Sequence, residues 1–127
     1  MDVFRYRPLS ADNFRYLSTK SIPQRAEALH RAALWNHLDV IRALHEKNAN
    51  LNVIDEENWT PLHVAVKWNR LETVELLLSL GANVSIKNDA GKMPLHIAEM
   101  YQFSKISNLL RKAHGEQAIK AALANVD

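Results

Sequence analysis

The stretch PLHVAVKWNR at residues 61–70 occurs in three related versions along the chain. ALHRAALWNH occupies residues 28–37 and PLHIAEMYQF residues 94–103, so each version starts 33 residues after the one before it. Leucine, histidine, alanine and an aromatic residue recur at the same places. The segments that follow also align, because HLDVIRALHEKNANLNV (37–53) matches RLETVELLLSLGANVSI (70–86) without a gap. A fixed period of this length indicates a repeat protein built from stacked units.

The repeated unit predicts two short helices and a hairpin finger. Thr60 before Pro61 marks a helix start, because threonine caps helices and proline suits the first helical position. Apolar residues at helical spacing follow in both helices. We expect Asn36 and Asn69 to end the first helix in the left-handed conformation, and Gly81 to end the second.

The segment DEENWTPLHVAVKWNRLETVELLLSLGANVSIK, residues 55–87, follows the ankyrin-repeat pattern almost throughout. The chain resembles ankyrin-repeat proteins over about residues 22–120. This resemblance implies an all-α solenoid of three helix-turn-helix units with short β-hairpin fingers, capped at both ends. The implied divisions are an N-terminal extension that caps the stack (1–21), repeat 1 (22–54), repeat 2 (55–87), and repeat 3 with a C-terminal capping helix (88–127).

The first and third units depart from the family's pattern. Unit one has Glu27 and Ala28 in place of the threonine–proline pair. In unit three, Met93 replaces the threonine, and Gln102 stands where glycine or asparagine usually turns the chain. The outer face of an end repeat must be polar or covered. We therefore expect the alanine-rich run at 116–124 to form a further short helix that covers the last apolar face.

Composition and charge narrow the classes of function. The 127 residues, 47% hydrophobic and 24% charged, suit one ordinary domain. The absence of cysteine excludes disulfides and thiol chemistry and fits a reducing, cytoplasmic compartment. No signal peptide or membrane-spanning stretch is recognised. The net charge of +2 is small for a nucleic-acid partner, which usually meets a concentrated basic face.

The histidines do not predict a metal site. His30, His63 and His96 occupy the family's structural histidine position, and stacked helices lie about 8–10 Å apart. That spacing is far longer than the roughly 2.1 Å bonds of a shared zinc ion. The sequence also lacks a nucleophile elbow and a glycine-rich phosphate loop. We expect a non-catalytic chain with no metal, cofactor or small-molecule substrate.

The resemblance implies that partner proteins contact the fingers and the exposed side of the first helix. Trp68 lies on that side, and the 33-residue step carries its position to Trp35 and Tyr101. The three rings should form a stripe along a concave groove, where large aromatic side chains favour partner binding. They could alternatively stack on one another and stiffen the solenoid. The predicted contact residues are Trp35, Trp68, Tyr101, Trp59, Glu56, Glu57, Lys67, Asp89, Lys92, Leu34 and Met100.

The N-terminal segment leaves two placements open. Residues 1–25 carry a net charge of about +3 and several aromatic side chains, so they should pack against the stack rather than remain disordered. They could cap unit one, or lie in the groove with arginines over Trp35 and Trp68 and inhibit binding. A second hypothesis for the whole chain is a regulatory or targeting module of a larger protein or assembly, such as an enzyme subunit or a secreted bacterial effector.

Overall fold

The computed structural model of the chain describes the backbone of residues 22–126 and the side chains of residues 27–126. The predicted extension at 1–21 and its two alternative placements lie outside the described residues. Within them the helices are α1 (Ile22–Leu34), α2 (Leu38–Glu46), α3 (Pro61–Lys67), α4 (Leu71–Ser79), α5 (Pro94–Met100) and α6 (Ser104–Ala124). In this part of the chain, no helix is long and apolar enough to cross a membrane.

The six helices form three pairs that stack side by side. The first helices of the pairs, α1, α3 and α5, pack against one another in that order, and α2, α4 and α6 form a second layer. Ala32, Ala65 and Ala98 lie at equivalent positions of the first layer and are all fully buried. Because their side chains are small, neighbouring helices can approach closely. Leucines fill the second layer at equally repeated positions, namely Leu44, Leu77 and Leu110.

The turns inside the units confirm the predicted left-handed residues. Asn36 and Asn69 have φ values of 59° and 57° and end the first helices of units one and two. Gly81, with a φ of 92°, ends the second helix of unit two as expected. Gln102 adopts the same turn with a φ of 60°. The stacking of the third unit therefore imposes this conformation on a residue that does not favour it.

The fingers are side-chain-stabilised turns, and the described residues contain no β-strand, so the predicted short β-hairpins are not seen. Asp55 Oδ1 accepts hydrogen bonds from the backbone N–H groups two and four residues later, at 2.9 Å each. Asn88, 33 residues further on, makes the same two bonds at 3.0 Å each. In each finger, therefore, one side-chain oxygen at this position accepts two backbone hydrogen bonds and stabilises the turn.

The C-terminal helix differs from the prediction. Unit two stops its second helix at Gly81, and unit one stops at Asn48, with a φ of 63°. The equivalent residue of unit three is His114, which favours the left-handed conformation less than glycine does, and Gly115 comes one residue too late. The helix therefore continues to Ala124 as a single element. The expectation of a separate short helix at 116–124 is wrong.

The end of α6 also fails to cover an apolar face. Residues 118–126 are all exposed, so they extend beyond the stack instead of lying over it. Within residues 116–126, Gln117 alone is partly buried. Its Nε2 donates to the Ala82 carbonyl at 2.8 Å, and its Oε1 accepts from the Val84 N–H at 3.2 Å. Gln117 thereby satisfies backbone groups of unit two.

Candidate functional site

The aromatic residues of the predicted stripe occupy equivalent backbone positions. Trp35, Trp68 and Tyr101 lie at the C-terminal ends of α1, α3 and α5. Each backbone N–H donates to the carbonyl four residues earlier, at 3.0, 3.1 and 3.1 Å respectively. Each is followed by a residue in the left-handed conformation. The repeat therefore places one ring at the same point of every unit.

The side chains at these positions become more exposed toward the third unit. Trp35 and Trp68 are half-buried against the core, whereas Tyr101 is 44% exposed. One residue earlier in each unit, Leu34 is fully buried and Met100 is 61% exposed. The prediction that Leu34 adjoins an exposed groove is wrong, because this leucine packs into the hydrophobic core and offers no surface to a partner.

Lys67 connects the finger of unit two to the first helix of unit three. Its Nζ lies 5.8 Å from the centroid of the Trp59 ring and 5.5 Å from that of Tyr101. The ammonium group also donates to the Tyr101 hydroxyl oxygen at 3.2 Å. The distance to the Trp59 ring suits cation–π attraction. Toward Tyr101 the ammonium group lies at the hydroxyl edge of the ring, where the contact is the hydrogen bond. We call Trp59, Lys67, Met100 and Tyr101 the aromatic–lysine patch.

The rings do not form one continuous stack. Tyr101 stacks on Phe103, with centroids 5.8 Å apart and an interplanar angle of 23°. In the portion of the chain with described side chains, no ring contact joins Trp68 to Tyr101. Trp59 lies 5.6 Å from the imidazole of His63 in a tilted arrangement. Stiffening of the solenoid by mutual stacking of the three repeated rings is therefore not what the structure shows.

The finger residues hold charged groups beside this patch. Glu56, Glu57, Asp89 and Lys92 are exposed. The N–H of Asp89 donates to the Glu57 carbonyl at 3.0 Å, and Asn58 Nδ2 donates to Asp89 Oδ1 at 2.6 Å. These bonds fix the separation of the two fingers, so their charges have a defined spacing.

The repeated histidines tie each unit to the next finger. His30 Nε2 donates to the Trp59 carbonyl at 2.7 Å, and His63 Nε2 donates to the Lys92 carbonyl at 2.9 Å. His63 Nδ1 accepts from the Thr60 N–H at 3.2 Å, and Thr60 Oγ1 accepts from the His63 N–H at the same distance. His30 and His63 are buried. The predicted structural role of these two histidines is confirmed.

Burial also changes the acid–base behaviour of His63. Loss of hydration in the core lowers the pKa of His63 below its ordinary value of 6.5, and the hydrogen bond to the Lys92 carbonyl and the charge of Asp55 oppose this only in part. The neutral ring has one N–H for the carbonyl and one bare nitrogen for Thr60. Protonation would remove that acceptor.

Comparison with known families matches the repeat pattern directly. A family model of ankyrin repeats, comprising three copies, matches residues 10–88. The chain belongs to the ankyrin-repeat family. The match begins inside the segment assigned to the extension and ends where unit three starts. The third ankyrin unit, with α5 and α6, is recognised by the 33-residue register and by the packing of its helices. A search of curated proteins found no match.

Ankyrin repeats are generally protein–protein interaction modules, and the family is typically non-catalytic. Among the described residues of this ankyrin chain, no group of three histidine, aspartate or glutamate side chains is placed to hold a metal ion. The exposed groups gathered at the site are aromatic rings, a thioether, ammonium groups and carboxylates. Such an arrangement is suited to non-covalent recognition.

Sequence reasoning missed the structural role of one acidic residue. In the sequence, Asp55 stands beside Glu56 and Glu57 and has the same charge, but its carboxylate folds the ankyrin finger. The signal was present in the register, because the 33-residue step carries Asp55 to Asn88. Aspartate and asparagine differ in charge but share the oxygen that accepts the two N–H groups.

Proposed function

We propose that this ankyrin-repeat protein binds another protein through the aromatic–lysine patch and the charged fingers beside it. The supporting observation is the position of the Lys67 ammonium between the rings of Trp59 and Tyr101. Trp59 and Lys67 belong to unit two, and Tyr101 and Met100 to unit three. The patch therefore spans two units and is held in place by the packing between them.

Exposure of apolar atoms gives this patch its binding energy. Met100 and Tyr101 keep about half of their surface in water in the free protein. Tyrosine is enriched at the centre of protein interfaces, and methionine adapts its shape to varied partners. Trp35 and Trp68 are half-buried, so in this proposal they mainly shape the floor of the groove. Their contribution as anchors is smaller than that of the exposed pair.

Preorganisation favours binding at the same place. The hydrogen bond from Lys67 to the Tyr101 hydroxyl restrains two long side chains before any partner arrives. Less side-chain entropy is then lost on association. The charges of Glu56, Glu57, Asp89, Lys67 and Lys92 orient the partner and reject those with the wrong pattern of charge.

The experiment compares three forms of the immobilised chain for proteins captured from cell extract. These are the wild type, the double variant Met100→Ala/Tyr101→Ala, and the control Arg42→Ala, which truncates an exposed side chain on α2. The captured protein is then purified and titrated against each form. We expect the control to bind like the wild type and the double variant to bind at least about tenfold more weakly.

The double variant must remain folded while it binds more weakly. Both substituted side chains are exposed, so we expect the far-ultraviolet circular dichroism and the melting temperature of the double variant to stay close to those of the wild type. Equal binding by all three forms would show that a partner uses another surface. Equal loss in Arg42→Ala would show that the effect is not local to the patch.

A further inference from the structure

The end of α6 carries a row of apolar side chains that no described residue covers. Ile119, Leu123 and Val126 are 62%, 65% and 70% exposed. Ile119 and Leu123 are four residues apart and therefore share one face of α6, and Val126 follows just beyond the end of the helix. Large apolar side chains exposed in a row are uncommon on a solitary surface and mark sites of association.

A groove runs beside the first half of the same helix. It is open to solvent, has a volume of about 460 Å³ between α4 and α6, and has the half-buried side chains of Leu71 and Leu109 in its lining. Glu75, Lys105 and Lys112 stand around it. Among residues with described side chains, neither Glu75 nor Lys105 forms an ion pair. The groove therefore offers two leucine side chains, with the charges of Glu75 and Lys105 at its edge.

The groove and the exposed row share one face of α6. Lys105, Leu109, Lys112, Glu116, Ile119 and Leu123 follow one another at alternating steps of four and three residues. This alternation places all six side chains along one seam, as in helices that pair with a second helix. We call these six residues the α6 seam.

We propose that two copies of the chain pair through their α6 seams, with the two helices antiparallel and the twofold axis close to His114. In this register Leu109 faces Ile119 of the partner subunit, and Lys105 lays its aliphatic stem against Leu123 of the partner subunit. Lys112 faces Glu116 of the partner subunit. The exposed end of each helix then lies along the groove of the other copy.

Helix geometry and charge both select a second copy as the occupant. At a rise of about 1.5 Å per residue, the exposed end of α6 at 118–124 is roughly 10 Å long, which matches the roughly 10 Å between Lys105 and Lys112. The antiparallel register places opposite charges face to face. A parallel register would instead place Lys112 against Lys112 and Glu116 against Glu116, which is unfavourable. The seam is thus complementary to itself in one orientation only.

The pairing goes beyond the proposed partner binding and uses none of its residues. The two proposals can therefore fail separately. The contact between two helix faces is small, which places the dimer among weak and reversible associations. Sedimentation equilibrium of the full chain from about 5 to 500 µM should show the mass rising from 14.5 kDa toward twice that value.

A pair of matched variants tests the surface. Ile119→Glu/Leu123→Glu should remain at the monomer mass throughout this range. Its melting temperature should equal that of the wild type at the low end of the range, where both are monomers, because both side chains are exposed. Ala118→Glu/Ala121→Glu adds the same charge on the opposite side of the helix, and should dimerise like the wild type. A wild type that stays at 14.5 kDa, or a dimer that is insensitive to the seam variant, overturns the proposal.

A charge exchange tests the register. Lys112 and Glu116 approach within 3.9 Å inside one copy, so either single variant disturbs that contact. Lys112→Glu and Glu116→Lys should each dimerise at least about tenfold more weakly than the wild type. Mixed in equal amounts, they should form a heterodimer, because both contacts across the axis then join opposite charges. Contacts inside one copy cannot produce a gain on mixing, so its absence contradicts charge pairing across the axis. Single variants that dimerise as well as the wild type contradict the antiparallel register, because a parallel pair has two like-charge contacts in all three proteins.

Discussion

Units two and three have closely related sequences but different surroundings. In unit two, His63 bonds both to its own helix start and to the next finger, and Arg70 Nε donates to the Leu34 carbonyl of unit one at 2.7 Å. In unit three, Phe103 stands at the position of Arg70. His96 Nδ1 accepts from the Met93 N–H at 3.1 Å, but the described residues contain no further finger for its other nitrogen. Unit two is therefore bonded on both sides and unit three on one.

This difference shows where stability and function lie in a one-dimensional stack. Each unit contacts mainly its neighbours, so an inner unit contributes through both of its interfaces. The third unit packs against a neighbouring unit on one side only. Some of its residues are therefore exposed although the equivalent residues of the other units are buried or half-buried. Met100 and Tyr101 are the result at the proposed binding patch, and the end of α6 is the result at the seam.

The largest expected contrast concerns the repeated histidine. His63→Ala removes a fully buried ring, takes one of two donors from the Lys92 carbonyl, which keeps the Asn88 N–H, and leaves the Thr60 N–H without its partner, so we expect a loss of about 3 kcal/mol in the free energy of unfolding. His96→Ala breaks one bond of a half-buried ring and should cost about 1 kcal/mol. Urea unfolding of both variants measures the contrast. Equal losses would mean that unit three is bonded as fully as unit two.

The pH dependence of stability should carry the signature of His63. Because its pKa is lowered in the folded protein, the unfolded chain binds more protons below its ordinary value of 6.5. The stability that neutral His63 contributes is fully present above pH 6.5. It is lost as the pH falls from 6.5 toward the lowered pKa of His63 in the folded protein. The slope for one proton does not exceed about 1.4 kcal/mol per pH unit. Comparison with His63→Gln isolates it, and parallel curves for the two proteins would refute this assignment.

The smallest expected difference in stability is between two glycine substitutions, one at Gly81, which ends α4, and one at Gly115, which lies within α6. Gly81→Ala should destabilise the protein by about 1 kcal/mol, because its φ of 92° is unfavourable for alanine. Gly115→Ala should stabilise it by about 0.5–1 kcal/mol, because Gly115 lies within α6 and an added methyl group meets no atom within 4 Å. Thermal melting of both variants gives the two signs. A loss of stability in Gly115→Ala would indicate that the helix is broken there.

The sequence predicted the fold well where its pattern repeats. The 33-residue register correctly located the turns at Asn36, Asn69 and Gly81 and the structural roles of His30 and His63. It failed where the pattern ends. In unit three the glycine that would end the second helix stands one residue too late, at Gly115, so the helix continues. The family pattern and the alanine-rich composition of 116–124 do not reveal this difference.

The candidate site was harder to predict than the fold. The 33-residue repeat makes Leu34, Lys67 and Met100 equivalent in the sequence, but Leu34 is fully buried and Met100 is mostly exposed. Exposure depends on what packs over each unit, and this information is not local in the sequence. The contact of Lys67 with rings from two units likewise depends on the angle between neighbouring units.

Radical footprinting of Met100 most directly tests whether a partner protein occupies the aromatic–lysine patch. The exposed thioether should oxidise readily in the free chain, and its oxidation rate should fall severalfold in the complex with the captured protein. Residues on the outer face of α2, such as Arg42, should be modified at the same rate in both states. An unchanged rate at Met100 in a saturated complex, with protection elsewhere, would contradict the proposed binding surface.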